Sequence, residues 1–194
     1  MIIGLTGGIG SGKTIVAKLF ETMGCIIYNS DERAKELYFN KEIRQHVIAL
    51  LGKEAYINDF ELNKAFIAQV IFSDKSKLQH LNAIIHPAVK QDFKLVVSKY
   101  PVKTLIIKET ALLFEENISK EVDASILVTA PIELKIERVI KRSNLSRTEV
   151  EKRMLAQWTD EQKIPLATYV ITNDGKEALI PQVLAIIHLL RTHA

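Results

Sequence analysis

The sequence has little of what marks a disulfide-bonded or membrane-spanning protein. Its 194 residues include one cysteine, Cys25, so no internal disulfide can form, and a reducing compartment is indicated. Cys25 opens an apolar run, and we expect a buried thiol and not a nucleophile. The most apolar stretch, "ALIPQVLAIIHLL", is interrupted by Pro181, Gln182 and His188 and is too short to cross a bilayer.

The N-terminus also lacks two features of a leader segment, because it starts an apolar run at once without a basic region or cleavage site. The net charge is only +3, and the 26 Lys and Arg residues are spread along the chain. This distribution argues against a nucleic-acid-binding stripe and suits a small anionic ligand. We therefore expect a soluble cytoplasmic protein that binds neither nucleic acid nor membrane.

Short apolar runs alternate with longer helical patterns along the chain. The apolar residues of these runs are consecutive, as in strands that are covered on both faces. Alternation of such strands with helices predicts an α/β fold with a parallel, doubly wound sheet. The predicted strands are Ile2–Thr6, Cys25–Tyr28, Thr104–Lys108, Ala124–Ala130 and Thr168–Thr172.

Two intervals are longer than one crossover helix needs. Five helical patterns lie between the second and third strands, and the last two begin at Lys75 and Pro87. A second, arginine-rich interval, Pro131–Pro165, precedes the last strand. We predict a core of about residues 1–30, 103–130 and 166–194, a helical substrate-binding insertion at about 31–102 and a lid at about 131–165. Insertions of this kind commonly bind substrate or close over it.

Five of the eight glycines lie in the first twelve residues, where Gly7–Thr14 forms "GGIGSGKT" and satisfies G-x-x-x-x-G-K-[ST]. Glycines let backbone N–H groups wrap an anion, and the N-terminus of the next helix adds further donors. Lys13 can reach the β- and γ-phosphates, and the Thr14 hydroxyl can ligate Mg²⁺. A nucleotide phosphate site is predicted at Gly8, Ile9, Gly10, Ser11, Gly12, Lys13, Thr14 and Ile15.

Two classes of nucleotide-binding protein then compete, a GTP-dependent switch and a small-molecule kinase. The two Asn-Lys pairs lack the aspartate of N-K-x-D, and no D-x-x-G occurs. Arginines that neutralise a transferring phosphoryl group favour a kinase. Arg138 and Arg142 share a helix face, Ser146 begins a second helix with a capping box, and Arg153 and Gln157 are four apart on it. From spacing alone, a lid and a pair of solvated charged helices both remain open.

An ordered series of motifs extends this interpretation. It consists of "GLTGGIGSGKT", "SDERA", "IIHPAV", "LLFE", "DASILVTAP", "RVIKR…KRMLAQ…K" and "VITNDG". In this series the chain resembles the dephospho-CoA kinases along essentially its whole length. The resemblance implies a P-loop kinase fold with a five-stranded parallel sheet, a helical substrate-binding region and a lid. It also implies that ATP phosphorylates the ribose 3′-hydroxyl of dephospho-CoA to give CoA and ADP, with Mg²⁺ accompanying ATP.

The resemblance also implies roles for single residues. Asp31 matches the second aspartate of a D-x-D motif and would accept or orient the 3′-hydroxyl proton. It could equally be the N-cap of the following helix, and the two roles are compatible. Asn29 departs from the pattern, because the family usually has the first aspartate there. His86, followed by Pro87 at a helix start, would lie near the substrate.

The resemblance implies further contacts elsewhere in the chain. Lys90 and Leu112 would meet the substrate, and Glu109 would either assist Mg²⁺ through water or be an exposed strand-end glutamate. Ala111 stands where the family usually has proline. The remaining residues would contact nucleotide or phosphate: Arg142 lies against ATP, Arg138 and Arg153 meet phosphates, and Asn173 and Gly175 meet the adenine. The "NDG" segment also suits a simple turn.

Two alternatives to this function remain. A kinase of the same fold could act on another small acceptor, such as a nucleoside monophosphate or a hydroxy acid. A nucleotide-binding regulatory module would bind ATP and phosphorylate nothing. We expect a monomer or weak homo-oligomer.

Overall fold

A computed structural model describes residues 1–192, and the helices and strands follow one another along this range. They are β1 (Ile2–Thr6), α1 (Lys13–Thr22), β2 (Ile26–Asn29), α2 (Ser30–Leu37), α3 (Lys41–Leu51), β3 (Tyr56–Asn58), β4 (Glu61–Leu62), α4 (Lys64–Ser73), α5 (Lys75–Val97), β5 (Ile106–Glu109), β6 (Ala124–Thr129), α6 (Ile132–Ser143), α7 (Arg147–Met154), α8 (Asp160–Lys163), β7 (Tyr169–Thr172) and α9 (Leu179–Thr192). Single 3₁₀ turns lie at Lys53–Ala55, Ile118–Glu121 and Ile164–Leu166.

Five strands form one parallel sheet in the order β2-β5-β1-β6-β7. β1 is central, with Ile3 opposite Ile107 on β5 and opposite Ala124 on β6. The predicted α/β class and five-stranded parallel sheet are thereby confirmed. Because the carboxyl ends of parallel strands meet at one edge, the residues that follow β1, β5 and β7 converge there.

The sheet is apolar because helices cover both its faces. Ile3, Leu5, Ile107 and Ile126 are fully buried, and α1 and α9 contribute to the same core. Cys25 is 3% exposed in this core, which confirms the expected buried thiol. Burial raises the pKa of the Cys25 thiol above its usual value.

The chain divides into two compact units, which we call the sheet unit and the helical unit. The helical unit is Ser30–Tyr100, and the sheet unit is Met1–Asn29 with the described chain from Pro101 onward. The helical unit contains α2–α5 around a core that includes Val47 and Leu81. It also contains an antiparallel hairpin of β3 and β4, which the sequence did not predict.

The two helices predicted to begin at Lys75 and Pro87 are one helix, so that prediction was wrong. α5 runs through Pro87, although proline lacks the N–H that an internal helical position donates. Leu81 and Ile85 before the proline and Phe93 after it are all buried. Packing on both sides therefore outweighs the local tendency of proline to break the helix.

The interval Pro131–Pro165, which we call the second insertion, contains α6, α7 and α8. α7 begins with the expected capping box of Ser146 and Glu149, in which both reciprocal hydrogen bonds form. This helix ends at Met154, so Arg153 and Gln157 do not share a helix and their predicted common face is wrong. Within residues 1–192, none of the helices combines the length and apolar character needed to cross a membrane.

Candidate nucleotide-binding site

The glycine-rich segment Gly7–Thr14 lies between β1 and α1, and two of its glycines are required by geometry. Gly10 and Gly12 have φ values of 80° and 95°, in the left-handed region that favours glycine. A methyl group on Gly10 would lie 2.4 Å from the Lys135 carbonyl oxygen, and one on Gly12 would lie 2.1 Å from Asn173 Nδ2. The loop therefore follows a path that only glycine permits at these positions.

The loop leads directly into the N-terminus of α1. Gly12 is the N-cap residue of α1, where it provides no side-chain acceptor, and the first turn contains no acidic residue. Ile15 donates its N–H to the Gly12 carbonyl at 3.0 Å, while its side chain is 59% exposed. An uncapped N-terminus without a carboxylate is suited to an anion.

Two side chains of the loop are placed differently. Lys13 Nζ donates to the Gly7 carbonyl at 2.6 Å, so its ammonium group folds back across the loop. Ser11 is fully buried, and its Oγ has no hydrogen-bond partner within residues 1–192. A methyl group on Gly7 would collide with both this Oγ and the Val128 carbonyl oxygen, so the hydroxyl lies in the interior and Lys13 is the side chain that can meet an anion.

Asn173, in the segment after β7, is buried against the loop. Its Nδ2 donates to the Ser11 carbonyl at 2.8 Å, and its Oδ1 accepts from Arg138 Nη2 at 3.2 Å. Arg138 Nη1 is buried and has no hydrogen-bond partner in the described part of the chain. Asn173 therefore joins the glycine-rich loop to a cation on α6.

The expected turn follows Asn173 in the same segment. Asp174 accepts backbone N–H groups from Lys176 and Glu177 at 2.8 and 2.9 Å, and these bonds lower the pKa of Asp174. Gly175 is exposed within this turn and has a φ of 82°. The turn interpretation of "NDG" is therefore correct, and it does not compete with the contact that Asn173 makes.

A second polar cluster joins Thr14, Asn29 and Glu109. Glu109 Oε1 accepts from Thr14 Oγ1 at 3.4 Å, and Oε2 accepts from Asn29 Nδ2 at 3.1 Å. Glu109 is only 4% exposed, so the alternative of an exposed strand-end glutamate was wrong. The three residues line a cavity of about 510 Å³ beside α1.

This cluster suits a metal that arrives with a nucleotide. Residues 1–192 contain no group of three or more His, Cys, Asp or Glu side chains that could hold a metal ion. A hydroxyl and one carboxylate are nevertheless oxygen ligands of the kind that Mg²⁺ takes, with phosphate oxygens and water completing its shell. The cluster therefore fits Mg²⁺ bound together with phosphates.

The three arginines predicted for the second insertion are placed differently. Arg138 is half-buried, with its guanidinium group at Asn173, whereas Arg142 and Arg153 are exposed. Arg138 and Arg142 lie four residues apart on α6, as expected, but this spacing does not distinguish the one that reaches the loop. Packing against Asn173, which lies 35 residues further along the chain, makes that distinction.

The second insertion also contacts the loop through residues that we did not predict for the site. Ile9 donates its N–H to Gln157 Oε1 at 2.9 Å, and Lys135 forms an ion pair with Asp160 beside Gly8. Gln157 lies in the "KRMLAQ" motif, which was a usable signal, whereas nothing local to Lys135 or Asp160 indicates their role.

The segment after β5 is held by a buried charge. Lys163 is fully buried, forms an ion pair with Glu115 at 2.7 Å and donates to the Ala111 carbonyl at 3.4 Å. The same carbonyl accepts from Thr6 Oγ1 at 3.3 Å. Leu112, beside Ala111, is half-buried. The segment is therefore fixed to both β1 and α8.

The other predicted residues belong to the helical unit. Asp31 is exposed in the first turn of α2, which begins at Ser30, so its interpretation as the N-cap was wrong. His86 and Lys90 are exposed on α5, and their spacing of four residues gives them a common face. A cavity of about 800 Å³ with a mainly apolar lining lies between α3 and α5.

Comparisons with known proteins agree on one family. The family model described as dephospho-CoA kinase matches residues 1–178. A dephospho-CoA kinase from Bacteroides fragilis is 40% identical over 189 residues, which cover 97% of this chain and 92% of the relative. One from Chlorobium chlorochromatii is 36% identical over 182 residues, covering 90% of this chain and 86% of the relative.

Solved structures are similar to the fold as a whole. A crystal structure from Thermus thermophilus superposes with a TM-score of 0.87 at 33% identity, covering 97% of this chain and 96% of that one. A dephospho-CoA kinase from Campylobacter jejuni has a TM-score of 0.70 at 17% identity and covers 99% and 98% of the two chains. The second likeness concerns the fold alone.

Proposed function

The chain belongs to the dephospho-CoA kinase family, and on that premise we propose how its residues perform the reaction. Its activity is that of a dephospho-CoA kinase, which catalyses the last step of coenzyme A biosynthesis. ATP is the phosphoryl donor and dephospho-CoA the acceptor.

Gly8–Ile15 binds the phosphates of ATP through loop and helix N–H groups and through Lys13. The N-terminus of α1 is the observation that carries this assignment, since it follows the glycine-rich loop, has no side-chain cap and has no acidic residue in its first turn. Asn173 and Gly175 border the adenine, with Asn173 also holding the loop through the Ser11 carbonyl. Arg138 and Arg142 neutralise charge on the transferring phosphoryl group.

Thr14 would hold Mg²⁺ together with the nucleotide, and Glu109 would assist through water. Both groups are oxygen ligands, and Glu109 is buried beside the Thr14 hydroxyl, which supports the assignment. When bound, Mg²⁺ neutralises the charge of the β- and γ-phosphates. Asn29 orients Glu109 without adding a second negative charge to the cluster.

The acceptor oxygen is the ribose 3′-hydroxyl of dephospho-CoA. It forms a bond to the γ-phosphorus, the bond from that phosphorus to the β–γ bridging oxygen breaks, and ADP leaves. Asp31 takes the hydroxyl proton, a role that suits its exposed carboxylate at the start of α2. The acceptor is held by His86, Lys90, Leu112 and Arg153.

We assign acceptor binding to about residues 31–102 and closure over the phosphates to about residues 131–165. A lid excludes water and completes the set of charges around the transferring group, so positioning and charge neutralisation account for catalysis. A monomer or weak homo-oligomer suffices, because the proposed residues all belong to one chain.

The direct test measures ADP release with Mg·ATP and a panel of acceptors: dephospho-CoA, AMP, CMP and shikimate. Strong stimulation by dephospho-CoA alone, with CoA identified by mass, is the expected result. Stimulation by another acceptor with none by dephospho-CoA would overturn the acceptor assignment and keep the phosphate site. ATP binding without any phosphorylated product would instead favour a regulatory module.

Asp31→Asn tests the proton acceptor. The amide cannot take a proton, so we expect turnover to fall by about 100-fold while ATP affinity is unchanged. Glu32→Gln is the matched control, because Glu32 is exposed in the same first turn and loses the same charge. Turnover and ATP dissociation constants are measured for both variants. Equal turnover of Asp31→Asn and Glu32→Gln would remove Asp31 from the mechanism.

A further inference from the structure

Polar side chains of the second insertion converge on one side of the glycine-rich loop. Gln157 Oε1 accepts the N–H of Ile9 at 2.9 Å. A methyl group placed on Gly8 would lie 3.5 Å from Lys135 Nζ, 3.7 Å from Asp160 Oδ1 and 3.9 Å from Gln157 Oε1. All three side chains therefore border the same short stretch of loop backbone.

Ile9 is anchored to the second insertion by its side chain as well. It packs against a small apolar cluster formed by Ile136, Val139 and Val150, which are at most 2% exposed. The second insertion therefore holds Ile9 twice, through its side chain and through its N–H. These two contacts fix both the position and the orientation of the peptide group before Ile9.

The ion pair beside Gly8, between Lys135 and Asp160, is almost fully buried. Lys135 and Asp160 have side chains that are 7% and 11% exposed. Burying such a pair carries a desolvation penalty that its attraction offsets only with good geometry. The pair links α6 to α8 directly against the loop, so it holds the segment that carries Gln157 between those helices.

We propose that Gln157 is a positioning residue for phosphoryl transfer, which holds the Ile9 N–H and so couples the second insertion to the shape of the phosphate loop. The Lys135–Asp160 pair keeps Gln157 at the loop. This inference rests on the proposed role of Gly8–Ile15 in binding the phosphates of ATP. Gln157 touches neither substrate in this role and acts through the loop backbone.

Loss of the contact has a defined consequence. Without the Gln157 acceptor the Ile9 N–H loses its partner. The loop at Ile9 is then held by the packing of the Ile9 side chain alone. A net contribution of about 0.5–1.5 kcal/mol is typical for one such bond, which corresponds to as much as about tenfold in a local opening equilibrium. Phosphate binding then requires the loop to be ordered again, so ATP affinity falls.

The test uses the full-length enzyme and three variants. Gln157→Leu removes the acceptor, Gln157→Glu keeps an acceptor oxygen, and Gln45→Leu is the matched control because Gln45 is exposed on α3. Amide hydrogen exchange at Ile9 is followed by NMR without nucleotide, and KM for ATP, kcat and Tm are measured separately. The exchange measurement reports the contact even if the proposed phosphoryl transfer is wrong.

In Gln157→Leu we expect Ile9 exchange to accelerate by about three- to tenfold and KM for ATP to rise by a similar factor, with Tm lowered by no more than about 5 °C. Gln157→Glu should restore slow exchange, and Gln45→Leu should match the wild type in every measurement. Unchanged Ile9 exchange in Gln157→Leu would overturn the contact. Faster exchange with an unchanged KM for ATP would show a merely structural contact and overturn the positioning role.

Discussion

The sheet unit and the helical unit differ in what they bury. Within residues 1–192 the buried polar and charged residues lie in the sheet unit, except for Ser30 and the buried tyrosine Tyr56 of the helical unit. They surround the glycine-rich loop or the ends of the neighbouring strands: Thr6, Ser11, Lys108, Glu109, Thr110, Ser125, Lys135, Lys163 and Asn173. The helical unit instead keeps its core apolar and carries Asp31, His86 and Lys90 on its surface.

The difference separates two ways of building a binding site. In the proposed function, phosphate is bound by backbone N–H groups and a few fixed cations, and such a site needs a rigid, internally paired surrounding. The residues proposed for the acceptor are surface side chains on helices, which can be replaced without disturbing the core. Substitutions confined to one unit, each compared with a matched change, test this difference.

The largest effect on stability is expected for Lys163→Met. It leaves Glu115, whose Oε2 already has no partner within residues 1–192, without its cation in the interior. Removing one partner of a buried pair typically destabilises by about 3–5 kcal/mol. The free energy of unfolding is measured in urea, where Lys163→Met together with Glu115→Gln should recover part of the loss.

Arg33→Met is the matched change in the helical unit. Arg33 donates two hydrogen bonds to Asp92, at 2.9 and 2.6 Å, and its side chain is 39% exposed, whereas that of Asp92 is 15% exposed. Because solvent screens the guanidinium group, we expect a loss of about 1–2 kcal/mol, smaller than that in Lys163→Met. Equal losses of stability in Lys163→Met and Arg33→Met would show that the two units do not differ in the cost of their charges.

Gly12→Ala should have the next largest effect, and mainly on activity. The added methyl group meets Asn173 Nδ2 at 2.1 Å and forces the loop or Asn173 to move. Misplacement of a binding group by about 1 Å can lower turnover by about 100-fold. Steady-state kinetics with ATP as the varied substrate measures the loss.

Gly24→Ala is the matched control, because it introduces the same backbone strain as Gly12→Ala without a steric clash. Gly24 has a similar φ of 88°, and a methyl group there meets nothing within 4 Å. The left-handed conformation alone disfavours alanine by about 1–2 kcal/mol. We expect lower stability and nearly normal turnover in Gly24→Ala, and equal turnover in the two variants would argue against the collision.

The glycine-rich loop was predictable because its requirements are local. Strand, glycines, Lys13 and helix follow one another in fourteen residues, and each has a physical reason to be there. The five strands were predictable for the same reason, since consecutive apolar residues indicate burial on both faces. The contact of Ile9 with Gln157 joins residues 148 apart, and no local pattern contains it.

The residues proposed for the acceptor site follow only from the family resemblance. Nothing in the composition of α2 or α5 distinguishes Asp31 or Lys90 from other exposed charges. The local preference of proline for the first turn of a helix also misled us in the helical unit. It predicted that a helix starts at Pro87, whereas Pro87 lies inside α5. Glu109 was placed correctly at the end of a strand, but its hydrogen bonds to Thr14 and Asn29 join residues 95 and 80 positions away, and no local pattern contains them.

The smallest effect concerns Tyr56, a buried titratable group of the helical unit. Its hydroxyl donates to the Tyr38 carbonyl at 2.8 Å, and burial raises the pKa of Tyr56 to about 12, although Arg44 over its ring opposes this. The unfolded chain has a tyrosine pKa of about 10. Above pH 10 the unfolded state therefore loses this proton first, and stability falls as the pH rises toward 12.

Tyr56→Phe should reduce this slope, whereas Tyr100→Phe should retain it because Tyr100 is 38% exposed. Urea midpoints between about pH 9.5 and 11.5 measure how steeply stability falls with pH. Tyr38, whose pKa is also raised by burial, contributes to the same fall. An identical slope in Tyr56→Phe and the wild type would exclude Tyr56 as its source. A smaller slope would show that Tyr56 is buried as a neutral hydroxyl and lowers stability only when it ionises at high pH. The sheet unit differs, because it buries Lys163 as part of an ion pair.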